Sequence, residues 1–163
     1  MAKPTRKQVE QMIAAKANFF EADLSGLNLS GMRMAEHMVG VNLQGSNLQK
    51  ADFYLSFLIR ANLQRCDLRG AILTSSDLTS ANLSGADLRN AKIGAVFEDT
   101  ILENADLRGA DFSLAMGLEK ANLQGAIYNW FTKWPRSGFD PSTTGAKKKL
   151  VIRYSTRLNL GRS

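Results

Sequence analysis

VNLQG SNLQK ADFYL SFLIR ANLQR CDLRG AILTS SDLTS ANLSG ADLRN AKIGA, residues 41–95, divides into eleven quintets without remainder. The middle place of each is large and apolar: Leu43, Leu48, Phe53, Leu58, Leu63, Leu68, Leu73, Leu78, Leu83, Leu88 and Ile93. Two residues before it stands a small side chain in every quintet but the first, where Val41 takes the place. The intervening residue is Asn or Asp in eight of the eleven: Asn42, Asn47, Asp52, Asn62, Asp67, Asp77, Asn82 and Asp87. A period of five matches neither the 3.6 of an amphipathic helix nor the 2 of a strand. The chain must therefore turn once per unit.

If each quintet forms one side of a square coil, the small residue and the central Leu point inward and the other three face out. Four sides make a turn of the coil, and successive coils stack at roughly the 4.8 Å spacing of paired strands. The Asp or Asn can then hydrogen-bond backbone at the corner, as these residues do in turns. Outside the regular run the pattern continues through Phe19, Leu24, Leu29 and Met34 before it and Phe97, Leu102, Leu107, Phe112, Leu118, Leu123 and Tyr128 after it. With one degraded unit near Met38 and Val39, residues 17–128 hold 23 quintets. This pattern resembles the pentapeptide-repeat family. The resemblance implies an all-β solenoid, a right-handed quadrilateral β-helix, here of about 5–6 coils.

Such a stack needs closed ends. In residues 1–16, Thr5 precedes Gln8 as in a capping box, with Val9, Met12 and Ile13 on one face, which predicts a short N-terminal capping helix. Residues 129–144 carry Trp130, Phe131, Trp134 and Phe139 among Pro135, Gly138 and Pro141, which predicts an irregular aromatic C-terminal lid. The stretch AIYNWFTKWPRSGFDPSTTGA is similar to the lids of cyanobacterial members of the family, and implies a cyanobacterial or plastid lineage. A basic tail, 145–163, follows.

Three phase slips interrupt the repeat: one residue short between Met34 and Leu43, one short between Ile93 and Phe97, and one long between Phe112 and Leu118. With sides numbered from Leu43, the second and third fall between sides three and four, and the first falls there or at the next corner. Phe57, Ile72 and Lys92 replace the corner Asn or Asp on the same two sides. Outward-facing apolar residues gather along this edge as a stripe: Tyr54, Leu55, Phe57, Ile59, Ile72, Val96, Leu114 and Met116, with Met38 below. Contiguous exposed apolar surface marks an interface, so the edge is expected to bind a protein partner or a second copy of the chain.

The tail holds Lys147, Lys148, Lys149, Arg153, Arg157 and Arg162 with no acidic residue. Leu150, Ile152 and Tyr154 alternate with Val151, Arg153 and Ser155, as in an extended strand. The segment is expected either to pair with a partner's sheet edge or to return along its own body; nucleic acid is disfavoured, since Tyr154 is its only aromatic. The net charge of +6 divides into +3 over residues 1–16, minus four over 17–127 and +7 over 128–163. No apolar window approaches the roughly 20 residues of a membrane span and no apolar block opens the chain, so a cytoplasmic protein is expected.

One cysteine, Cys66, and one histidine, His37, cannot make an internal disulfide, a Cys/His zinc site or a Cys–His dyad of ordinary spacing. Ser46, Ser56, Ser76 and Cys66 take the small inward position, Cys66 as a buried inert filler, and His37 falls in the first slip. No catalytic residue, metal site or cofactor is expected, and the chain reads as no enzyme. The leading function is a non-catalytic scaffold or accessory subunit of a protein assembly, using the apolar edge and the tail. The alternative implied by quinolone-resistance relatives is protection of a type II topoisomerase such as gyrase by imitating DNA. That needs a strongly negative surface, which the charge distribution disfavours. A third reading is peripheral membrane attachment through Lys147–Lys149, for which three lysines need a second contact.

Overall fold

The computed structural model describes residues 3–34, 36–136 and 138–149. Quintet 41–45 shows why the pattern folds as it does. Asn42 N–H donates to Ala22 O on one neighbouring coil (2.9 Å), while Leu43 N–H and Gly45 N–H donate to Asn62 O (2.8 Å) and Gln64 O (2.9 Å) on the other. Val41 N–H closes the preceding corner on Met38 O at 3.2 Å. The fifth donor, Gln44 N–H, is taken by the Asn42 side chain at 3.2 Å. Every backbone N–H of the unit is thus satisfied, and the corner Asn or Asp is needed for the one donor that no carbonyl reaches. Gly45 has φ 67°, and Ser46 N–H returns to Leu43 O at 3.0 Å. A turn whose second central residue alone has positive φ is of type II. Lys50, Leu55, Arg60 and Arg65 hold the same left-handed place at φ 56–61°.

Stacked this way, the residue before the central one forms parallel bridges that trace four sides. Side one runs Asp23, Asn42, Asn62, Asn82, Ile101, Asn122; side two runs Asn28, Asn47, Asp67, Asp87, Asp106, Ile127. Side three runs Arg33, Asp52, Ile72, Lys92, Asp111, Lys133, and side four runs His37, Phe57, Asp77, Val96, Met116. The core is the column of inward residues, with Phe19, Leu43, Phe53, Leu63, Leu88 and Phe112 all fully buried. Each such side chain contributes about 1.5–3 kcal/mol relative to exposure.

The slips take definite places. The first lies between Arg33 and His37, because His37 bridges Phe57. Met38 thereby becomes a central residue and is fully buried, which corrects its expected place on the outer edge. The second lies between Lys92 and Val96, as expected. The third moves one corner on, to between sides four and one, because Met116 keeps register with Val96 and the extra residue falls before Asn122. There Gly117 adopts φ 73° and opens a 3-10 turn, Leu118–Lys120, whose Leu118 fills the inward place.

At one end helix α1, Arg6–Ala14, starts on the Thr5/Gln8 capping box: Gln8 N–H donates to Thr5 Oγ1 (3.3 Å) and Thr5 N–H to Gln8 Oε1 (2.7 Å). Val9 is buried, Met12 and Ile13 pack beside it, and Arg6 donates to the edge carbonyls of Asn28 and Ser30, both at 3.1 Å. At the other end Trp134 stacks on Phe112 (5.2 Å) and Phe139 lies 5.3 Å from Trp134. Strand β1, Ile127–Tyr128, pairs in parallel with β2, Lys147–Lys148, which adds one more rung to side two. Trp130 and Phe131 depart from the expected lid. Thr132 takes the inward place and donates to Leu107 O at 3.0 Å, so residues 130 and 131 become the centre of an outward turn and are 66% and 60% exposed.

Candidate functional site

The corner between sides three and four carries most of the expected edge, in two clusters. Tyr54, Leu55 and Phe57 are 46%, 47% and 45% exposed, and His37 stacks on Phe57 with ring centroids 5.9 Å apart. Leu114 and Met116 form the second cluster, at 73% and 61% exposed, beside half-buried Val96. Ile59 and Ile72 are half-buried, and Ile72 belongs to side three. Asp77 lies between Phe57 and Val96 on side four, its carboxylate accepting from Thr79 N–H at 2.9 Å. The continuous stripe is therefore interrupted by a polar rung.

The first cluster borders a cleft of about 550 Å³ between α1 and the first slip, walled by Ile13, Met34, Tyr54 and Leu55, with Lys16, Arg33, Glu36 and His37 at its polar side. The cleft lies where the register is one residue short, between Arg33 and His37, with Ile13 of α1 on its wall. His37, in the first slip, is exposed.

The inward hydroxyls are structural. Ser46 donates to Leu24 O (2.8 Å), Ser76 to Leu73 O (3.0 Å) and Thr100 to Leu78 O (2.8 Å). Cys66 is buried, its thiol 2.9 Å from Leu43 O, and burial pushes its pKa up to about 12. Such a thiol is a packing group and no nucleophile. Among the described residues no group of three or more His, Cys, Asp and Glu is placed to hold a metal ion. No helix among them is long and apolar enough to cross a membrane.

Side two holds a feature that the quintet pattern alone does not reveal. Asp67, Asp87 and Asp106 stack as successive rungs, and Arg69, Arg89 and Arg108, each two residues on, fold back onto them. Nε of each arginine lies 2.8–2.9 Å from its own aspartate. Arg69 and Arg89 also lie 3.7 Å from the next aspartate along the column. Hydrogen bonds from Arg69 hold the Asp67 carboxyl below its ordinary range. Burial works to raise the pKa of Asp106, and the bonds and charge of Arg108 outweigh it, leaving a net lowering. The signal in the sequence is Asp-Leu-Arg at 67–69, 87–89 and 106–108, a repeat one coil long. The column is an acidic stripe with its charge already matched.

Of the expected tail contacts, Lys147 and Lys148 form β2 against the chain's own β1, and Lys149 N–H donates to Tyr128 O at 2.7 Å. Leu150, Ile152, Arg153, Tyr154 and Arg157 lie outside the described residues. Lys148 Nζ sits 3.2 Å from the centroid of the Trp130 ring.

The pentapeptide-repeats family model, described as eight copies, matches residues 37–74, 56–93 and 93–127. Among solved structures, the chain is similar to HetL, a pentapeptide repeat protein involved in heterocyst differentiation regulation from the cyanobacterium Nostoc sp. strain PCC 7120, at 18% identity over 80% of this chain and 74% of that one, TM-score 0.36. It is similar to alr5209, a pentapeptide repeat protein from Nostoc PCC 7120, at 26% identity over 91% of this chain and 99% of that one, TM-score 0.37. It is also similar to a trypsin-treated variant of QnrB1, a plasmid-mediated fluoroquinolone resistance protein, at 18% identity over 82% of each chain, TM-score 0.43. No curated protein matches. The family model spans more than half of the residues, and the quintets that it matches lie within the bridged four sides: the chain belongs to the pentapeptide-repeat family, whose members form right-handed β-helices.

Proposed function

We propose that this protein is a non-catalytic scaffold or accessory subunit that binds a protein partner through the corner between sides three and four. The observation that carries the reading is the cluster of Tyr54, Leu55 and Phe57, nearly half exposed, beside the cleft under α1. Three large apolar side chains at neighbouring outward positions are more than a folded monomer needs, and such patches mark interaction sites. Their backbone is fixed by bridges on both flanks, Asp52 to Ile72 and Phe57 to Asp77, so little conformational entropy is lost on binding. In this reading residues 1–16 cap the solenoid, 17–128 build it, 129–144 close its far end, and the basic tail follows from 145.

The topoisomerase reading needs a column of uncompensated negative charge. The stacked aspartates of side two are each paired with an arginine, and that speaks against DNA mimicry on this face. The test is Tyr54→Ser/Phe57→Ser in the full chain, used as bait in extract of the native organism beside the unaltered protein, with light scattering to read self-association. Loss of a specific partner, or of a dimer, with unchanged circular dichroism supports the reading. Equal capture by both forms removes it. Protection of gyrase in a supercoiling assay at stoichiometric protein would restore the alternative.

A further inference from the structure

We propose that the C-terminal rim of the solenoid is a docking site for an anionic lipid bilayer, with Trp130 and Phe131 entering the interface and Lys147, Lys148 and Lys149 facing the headgroups. Trp130 and Phe131 form the tip of a turn, 66% and 60% exposed. Their exposure is enforced by the fold, because Thr132 occupies the inward place and donates to Leu107 O. Beside them Lys147 and Lys148 of β2 and Lys149 just after it are exposed, and none makes an ion pair among the described residues. Lys148 ties the two groups together by lying over the Trp130 ring at 3.2 Å.

Stable attachment of a peripheral protein takes two signals, an apolar anchor and a basic patch. The lysines supply one and the aromatic turn the other. Trp is favoured at the membrane–water boundary, where its ring lies among apolar groups and its N–H remains in a polar layer. The charge distribution orients the molecule, since residues 128–149 carry +4, from Lys133, Arg136, Lys147, Lys148 and Lys149 against Asp140, while residues 17–127 carry minus four; an anionic surface attracts this end and repels the body. Single-stranded nucleic acid fits less well. One face of Trp130 is already covered by the Lys148 ammonium, and bases need free aromatic faces on which to stack.

The experiment is co-sedimentation of the full chain with vesicles of phosphatidylcholine alone and of phosphatidylcholine with phosphatidylserine in equal parts. Binding only to the second is expected. Lys147→Gln/Lys148→Gln/Lys149→Gln should weaken it on the order of a hundredfold, at about fivefold per charge. Trp130→Ser/Phe131→Ser should weaken it about tenfold or more, with circular dichroism unchanged. Trp130→Phe keeps an apolar ring and should retain binding, while losing the quenching of tryptophan fluorescence by brominated lipid that is expected of the unaltered protein. Failure to bind either vesicle overturns the proposal, as does undiminished binding by Trp130→Ser/Phe131→Ser. Displacement from vesicles by a single-stranded oligonucleotide that Trp130→Ser/Phe131→Ser no longer binds would assign the rim to nucleic acid instead.

Discussion

Replacing Arg69, Arg89 and Arg108 together by Gln should reverse the sign of the side-two column's contribution to the protein's acid response. The three arginines cover Asp67, Asp87 and Asp106, which stack one rung apart on side two. Without them, neighbouring carboxylates face each other at roughly 4.8 Å. In a water-like dielectric that separation costs about 0.9 kcal/mol per adjacent pair, and the column has two such pairs, so the loss at neutral pH is about 2 kcal/mol. In the unaltered protein the carboxyls of Asp67 and Asp106 are held below their ordinary range. They therefore contribute stability that is present above the unfolded-state pKa and lost as pH falls through the folded one. In the variant, repulsion raises the folded pKa values, so the deficit is fully present above them and recovers as pH falls below the unfolded values near 4. Urea unfolding followed by circular dichroism at neutral and mildly acidic pH, at low and at 1 M salt, reads both effects. Molar salt should restore most of the loss, because the Debye length falls to about 3 Å. A variant as stable as the parent at neutral pH and low salt, or one that acid further destabilises relative to the parent, would refute the charge-matched column.

Two further outcomes test the core and the corners. Cys66, with its pKa near 12, should have a thiolate fraction on the order of one in ten thousand at pH 8, against roughly a tenth to a quarter for an ordinary thiol; Ellman's reagent should leave it untouched in native buffer and titrate one thiol in denaturant, and fast native labelling would contradict the closed coil. Asn62→Ala removes the acceptor for Gln64 N–H, 3.2 Å away, and should cost about 1 kcal/mol by thermal unfolding, whereas an unchanged melting temperature would show that solvent serves that donor equally well.

How far the sequence could be read follows from what is local. The regular run is legible because a quintet solves its own hydrogen bonding, and Asn42, Leu43 and Gly45 each announce their place by residue type. A slip is legible as a change of phase, while its position is set by pairing with the coil above. His37 opposite Phe57 decides that Met38 turns inward, and nothing within residues 34–42 alone does so. The arginine-covered column is written at the spacing of a whole coil, so it appears when Asp67-Leu68-Arg69 is set beside Asp87-Leu88-Arg89. Trp130 and Phe131 suggest a buried lid by composition. The turn chemistry of Asn129 and Thr132 decides otherwise, since these fill the corner and inward places and leave the two rings outside.

The regular surface is largely occupied with holding itself together. Side one is mainly a stack of asparagines that cap their own corners, and side two is a column of matched charges. Exposed large apolar side chains gather where the pattern breaks: at the Tyr54–Phe57 corner beside the first slip, at Leu114 and Met116 before the third, and at the rim where the chain leaves the repeat at Trp130. Along side two, five rungs separate Asn47, in the coil of the Tyr54–Phe57 corner, from Lys147 at the rim. At one strand spacing per rung that is about 24 Å along the axis. A continuous backbone ladder spans that interval and fixes the separation of the two surfaces. A rim seated on a bilayer would hold the proposed partner-binding corner at that separation, a length set by the number of coils.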